Sequence, residues 1–291
     1  MTWTISPLET INEIDQDTFL KNYLSSAKPV VIKNYTKEWP AYSKWNYDYF
    51  KEKAGGITVP LYDSSKVTGD KKVNEPATHM KFADYLDLIK EQPSDLRIFL
   101  FNIFKEIPSL TQDYSMPKFL NGYLDKFPMM FFGGRGSKVF PHFDLDLSHV
   151  FLAHFGGRKK CLLFSPECSD RLYKIPFAVH NLEEIDFDNP DYETYPALRG
   201  LQGQEVTLEH GDILFIPSGW WHYMYYTDDS FSLSLRALDS SVSRKIHGAY
   251  NIFIMRTIDN LCRKMFGGTW IEYKNQLAIR RATRASRAMA S

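Results

Sequence analysis

Three patterns of apolar and polar positions follow one another along the chain. Up to about residue 125 they are mixed. Val30-Val31-Ile32, entered through Lys28-Pro29, reads as a β-branched strand, because proline is tolerated at a strand entrance. Phe82, Tyr85, Leu86 and Ile89 recur at helical spacing, so residues 80–91 predict an amphipathic helix stopped by Pro93. Leu96 to Phe101 predicts a strand, and Asp70-Lys71-Lys72 a solvated loop.

From 126 to 240 the pattern changes to short apolar runs cut by turn residues. Met129 to Phe132, the run through His142, His149 to Phe155, Lys159 to Phe164, Ile213 to Ile216 and Trp220 to Tyr226 read as strands. Gly133-Gly134-Arg135-Gly136, Gly156-Gly157, Gly211-Asp212 and Pro217-Ser218-Gly219 read as the turns between them. The first of these turns is no phosphate cradle, since no Gly-Lys-Ser/Thr follows it. This spacing predicts a double-stranded β-helix, a jelly roll. From 241 the period becomes helical: Ile246, Tyr250, Ile254, Ile258 and Leu261 share a face, Gly267-Gly268 ends that helix, and residues 270–288 form a second. The last eight residues are expected to fray. The fold class is therefore mainly β with flanking helices. Its parts are an α/β N-terminal part (1–125) packed on the core, a catalytic β core (126–240) and a C-terminal helical pair (241–291).

Composition adds few constraints. At 291 residues, 44% hydrophobic, the chain can bury a large core, and its 21 Phe, 17 Tyr and 6 Trp suit a β-rich one. Three cysteines (Cys161, Cys168, Cys262) with no CxxC spacing argue against a disulfide framework. No apolar run approaches the ~20 residues of a membrane span, and the N-terminus lacks the features of a secretory signal. The expected location is a reducing cytoplasm. Net charge is zero, but ten Lys or Arg stand against Asp259 and Glu272 from Ser241 onward, leaving the first 240 residues with eight excess negative charges. Such a tail either packs on the acidic body or on a second subunit, or serves as a nucleic-acid arm. Apolar residues threaded through it at helical spacing favour packing.

The chemistry lies in His142-Phe143-Asp144 and His222. Strand side chains alternate, so a His and an Asp two residues apart share a face. His222, just past the Pro217-Ser218-Gly219 corner, is placed to join them from a distant strand. Two histidines and one carboxylate occupy one face of an octahedral ion and leave the other open, as non-haem Fe(II) requires; structural zinc prefers four protein ligands. A lone His-x-Asp is usually a surface pair, and the His222 segment is what makes the metal reading the stronger one.

These motifs, with Lys159-Lys160-Cys161-Leu162-Leu163-Phe164, Gly211-Asp212, Ile216-Pro217 and Trp221-His222, resemble the Jumonji-C-type, cupin-superfamily 2-oxoglutarate oxygenases over about residues 28–238. The asparaginyl hydroxylase that inhibits hypoxia-inducible factor is the nearest likeness, and Asp186 to Glu193 adds to it. The resemblance implies Fe(II), 2-oxoglutarate and O₂ as cofactor and co-substrates, with His142, Asp144 and His222 as metal ligands and catalytic centre. It also implies Lys159 on the distal carboxylate of 2-oxoglutarate, which fits a strand alternation turning Lys159, Cys161 and Leu163 to one face.

There are departures from the likeness. Val139 and Phe99 replace a threonine and a tyrosine, and Arg236 and His149 replace two asparagines. Arg236 and His149 either hold the metal-proximal carboxylate of the co-substrate together or form a buried structural pair. His154, by the parity that turns His149 inward, and His210, in a turn, read as structural or surface residues. Trp220 and Trp221 read as packing beside the metal.

A protein or peptide side chain is the expected substrate, and hydroxylation with decarboxylation of 2-oxoglutarate to succinate the expected reaction. A homodimer through the C-terminal helices is the expected assembly. A catalytically silent metal-binding scaffold, or an oxygenase acting on a small metabolite or RNA, is the alternative.

Overall fold

A computed structural model describes residues 2–63, 75–99 and 101–288; the expected loop at Asp70-Lys71-Lys72 lies outside them. Eight strands make the central jelly roll: β7 (Met129–Gly133), β8 (Lys138–His142), β9 (His149–Gly156), β10 (Lys159–Phe164), β11 (Gln202–Leu208), β12 (Ile213–Ile216), β13 (Trp221–Tyr226) and β14 (Ser230–Ala237). The N-terminal part supplies β1 (Thr4–Pro7), β2 (Thr10–Ile11), β3 (Val30–Ile32), the separate hairpin β4 (Thr58–Leu61) and β5 (Thr78–Lys81), and β6 (Arg97–Ile98). One sheet runs β1-β11-β10-β13-β8 and the other β2-β3-β12-β9-β14-β7-β6. Residues before 126 therefore extend both sheets as well as packing on them. The strand expected from Leu96 to Phe101 is described only at Arg97–Ile98, and Leu100 is not described.

Alternation sorts the side chains into three cores. Between the sheets lie Val150, Leu152, Cys161, Leu163, Leu214, Ile216 and Met224. The outer face of the seven-stranded sheet, with Phe151, Phe155, Phe215, Phe231 and Leu233, packs on the N-terminal helices. Those are α1 (Gln16–Phe19), α2 (Pro40–Lys44), α3 (Tyr47–Ala54), α4 (Phe82–Glu91) and α5 (Ile103–Glu106). In α4, Phe82, Tyr85, Leu86 and Ile89 are buried, and the helix ends just ahead of Pro93, as the periodicity predicts. The outer face of the five-stranded sheet, with Leu162, Phe164, Trp221 and Tyr223, is covered by the long β10–β11 connection.

The C-terminal segment comprises α6 (Val242–Tyr250), a π-helical turn at Asn251–Met255, α7 (Arg256–Phe266) and α8 (Gly268–Ala288). Gly267 takes φ +52 at the end of α7, a backbone conformation glycine adopts without strain. Ala278 and Ala282 of α8 are buried against the outer core of the five-stranded sheet. The helix stays regular through Ala288, so the fraying expected from residue 284 is not seen up to that point.

Candidate metal centre

His142 at the end of β8 pairs with His222 of β13, while Val139 pairs with Met224. Between these pairs β8 holds one residue more than β13. The bulge flips the alternation, so Val139 and His142, an odd number apart, both face the space between the sheets. Asp144 lies two residues beyond the end of β8, in the turn leading to β9. The ligand atoms of His142, Asp144 and His222 all fall within 4.8 Å of one another.

The hydrogen bonds orient both rings for a cation. His142 Nδ1–H donates to the Phe140 carbonyl (2.8 Å) and His222 Nδ1–H to the Trp220 carbonyl (3.2 Å). Each ring's proton is thereby held on Nδ1, and two bare Nε2 atoms face each other at 3.2 Å. Lone pairs repel at that distance, and a shared cation removes the repulsion. Burial, with His222 beside it, pushes the His142 imidazole down to about 4; burial also lowers His222. Burial alone would raise Asp144, but the Arg236 guanidinium, His222 and His142 together outweigh it and hold the carboxyl below its usual range. Near neutral pH the cluster is thus two neutral imidazoles and a carboxylate, the protonation state a metal needs.

Arg236 of β14 donates from Nη2 to Asp144 Oδ1 (2.8 Å), and its Nη1 lies 3.4 Å from Asp146 Oδ2. Its Nε is buried without a partner among the described residues. Further along the same interior, Lys159 is 2% exposed. Its Nζ donates to Ser232 Oγ (2.6 Å) and sits 4.1 Å from the centre of the Tyr226 ring. No carboxylate among the described residues pairs with it. Lys160 points outward to Glu205 (2.7 Å), so the expected alternation holds at this strand. A buried ammonium without an anion and a buried guanidinium Nε without an acceptor together suit a dianion lying between them.

Two parity expectations fail. Register places Val150 opposite Arg236 and His149 opposite Ala237, so His149 faces outward and cannot share a ligand with Arg236. Its Nδ1 accepts from the Ser218 backbone N–H (3.1 Å), and its Nε2 lies 3.5 Å from Asp239. His154, with the opposite parity, faces inward and approaches Ser232. His210 is structural: Nε2–H donates to the Tyr42 carbonyl and Nδ1 accepts from Gly156 N–H. Trp221 is on the outer face, donating to Ser169 Oγ. Ser232 and Tyr226 were not expected in the site. For Ser232 the signal was present in Ser230-Phe231-Ser232-Leu233-Ser234-Leu235, hydroxyls alternating with apolar residues on a buried strand.

Residues 16–253 match the model of the cupin-like domain. The chain belongs to this family. The match places it in the Jumonji-C/cupin superfamily of 2-oxoglutarate oxygenases, whose members use Fe(II), 2-oxoglutarate and O₂. Similar proteins include lysine-specific demethylase 8 of Danio rerio, 31% identical over 75% of this chain and 55% of that protein. Lysine-specific demethylase JMJ30 of Arabidopsis thaliana is 30% identical over 79% of this chain and 54% of that protein. tRNA wybutosine-synthesizing protein 5 of Gallus gallus is 26% identical over 73% and 71%. The cupin-like chain thus spans about half the length of the demethylases it matches. These likenesses support the superfamily without singling out the asparaginyl hydroxylase of hypoxia-inducible factor.

Proposed function

We propose that this protein is an Fe(II)/2-oxoglutarate-dependent oxygenase that hydroxylates a side chain of a protein or peptide. The observation that carries the reading is the pairing, in one buried space, of two facing Nε2 atoms beside Asp144 with an ammonium that has no anion among the described residues. His142, Asp144 and His222 would hold the metal. Lys159 would hold the distal carboxylate of 2-oxoglutarate, and Arg236 Nε its metal-proximal carboxylate. When bound, Fe(II) supplies activation of O₂ coupled to the conversion of 2-oxoglutarate to succinate and CO₂, with the other oxygen atom inserted into a substrate C–H bond.

The chain's own groups do the rest. The Phe140 and Trp220 carbonyls fix both imidazoles in the tautomer that presents Nε2. Arg236 holds one oxygen of Asp144 and leaves the other for the metal. Val139, Leu163, Met224 and Cys161 line the space with apolar surface, which excludes water and strengthens the contacts of Lys159 and Arg236.

The names of the demethylase relatives support a protein substrate. The tRNA wybutosine-synthesizing relative, with exposed Arg280, Arg281, Arg284 and Arg287 on α8, supports RNA as the second reading. The test is succinate release from 2-oxoglutarate with Fe(II), set against cell-derived peptides and against tRNA. Peptides gaining about 16 Da, in step with succinate, are expected for one inserted oxygen. His222→Ala and Asp144→Ala should abolish both signals and most Fe(II) affinity. Modification of tRNA alone would move the substrate to RNA, and Fe(II) binding undiminished in both variants would overturn the site.

A further inference from the structure

His154 is fully buried, yet the function proposed above gives it no task. Its Nε2 lies 2.7 Å from the Gly157 carbonyl, which can only accept, so Nε2 carries the ring proton. Burial, with Lys159 nearby, holds this imidazole well below its ordinary titration range, so the ring is neutral. Nδ1 is then an acceptor, and the group facing it at 3.0 Å is Ser232 Oγ. The hydroxyl must spend its single proton on His154, and it turns a lone pair to the Lys159 ammonium at 2.6 Å. Lys159, Ser232, His154 and Gly157 therefore form one chain in which every donor direction is fixed. The Tyr226 ring closes the other side of the ammonium, seated where Gly133 has no side chain; a Cβ there would come within 2.5 Å of it.

We propose that His154 is a positioning residue for the co-substrate: through Ser232 it locks the Lys159 ammonium at the depth where the distal carboxylate of 2-oxoglutarate binds. The inference rests on the reading of Lys159 as that anchor. Remove the ring and the Ser232 hydroxyl is free to rotate its proton toward the ammonium. The four-carbon stem of Lys159 then loses the contact that selects one rotamer, and binding must supply the ordering.

The experiment uses the full chain loaded with Fe(II) without oxygen, titrated with 2-oxoglutarate by calorimetry, with KM and kcat measured separately in air. Lys159→Ala should lose nearly all co-substrate affinity. His154→Leu and Ser232→Ala should each weaken it about tenfold, at the scale of outer-shell partners. Both should raise KM while leaving kcat at saturating 2-oxoglutarate and Fe(II) affinity near the parent's. His154→Gln, whose amide can both donate to Gly157 and accept from Ser232, should recover most of the loss. The two links act in series, so the double variant should be no worse than either single one. Parent-like binding by Ser232→Ala and His154→Leu, equal losses in His154→Leu and His154→Gln, or additive losses in the double variant would each overturn the role of His154. Parent-like binding by Lys159→Ala would instead remove the anchor reading itself.

Discussion

Lys159 shows how much one residue's surroundings decide. An ammonium with no anion holds its proton loosely, and burial brings Lys159 down from an ordinary 10.5 to about 7. The unfolded chain keeps that proton up to pH 10.5 and the folded one does not. Stability should therefore rise with pH between about 7 and 10.5, by up to about 1.4 kcal/mol per unit from this group. Lys159→Met should flatten that part of the curve in urea titrations. 2-Oxoglutarate restores an anion, so its binding at pH 8.5 should take up a proton, read as a calorimetric enthalpy that depends on the buffer. An enthalpy independent of the buffer would contradict this. Lys160→Ala, by contrast, should leave co-substrate binding unchanged, because Lys160 faces solvent and Glu205. The inward Lys159 was legible from alternation with Cys161 and Leu163. The parities of His149 and His154 were not: β9 is buried on both faces over His149–Phe155, so no polar residue marks its outer side. Leu147, in a left-handed conformation just ahead of β9, also breaks any count carried over from β8.

At the level of elements, the jelly roll, the α4 helix and the switch to helical period after 241 were legible because each has its own periodicity. The β8 bulge was not, since an inserted residue leaves no mark in the hydrophobic pattern. Nor was the link between α6 and the metal centre. Gly248 of α6 lies against the Asp146 backbone, where a Cβ would stand 2.3 Å from the carbonyl oxygen. In the π turn that follows, Asn251 Nδ2 donates to the Leu145 carbonyl (3.1 Å). These contacts brace the loop that carries Asp144. Gly248→Val should push α6 off that loop and lower Fe(II) affinity, although neither residue touches a ligand atom. Asn251→Ala should do so more mildly, and calorimetric titration with Fe(II) distinguishes either from the parent. Unchanged affinity in both would mean the loop holds Asp144 unaided.

For the whole molecule, the outstanding feature is apolar surface left uncovered on the C-terminal helices. Phe253 is 72% exposed and Ile246 64%, and Val242, Ile254, Leu261, Met265 and Phe266 are exposed with them. An uncovered row of this kind usually marks an interface, and twofold pairing buries it on both subunits. The expected state is a homodimer through α6 and α7. The second helix contributes less than its sequence suggests: α8 spends Ala278 and Ala282 on its own body, and Trp270 and Lys274 bond Asp259 of α7. Cutting the chain at Ser241 would therefore strip a core as well as the proposed interface, and point charges are the cleaner probe. Phe253→Glu with Ile246→Glu should give monomers by light scattering at concentrations where the parent is dimeric. A monomeric parent would refute the pairing.

The brace between α6 and the Asp144 loop has a thermodynamic corollary. If the chain pairs through its exposed apolar row, one helix would face the second subunit on one side while steadying a metal ligand on the other. Whatever factor pairing adds to metal affinity, metal must add to pairing, because a coupling free energy is shared by both equilibria. In a pairing protein, concentration would then be a hidden variable in every cofactor titration: a dilute sample should lose its iron sooner than a concentrated one at the same free metal.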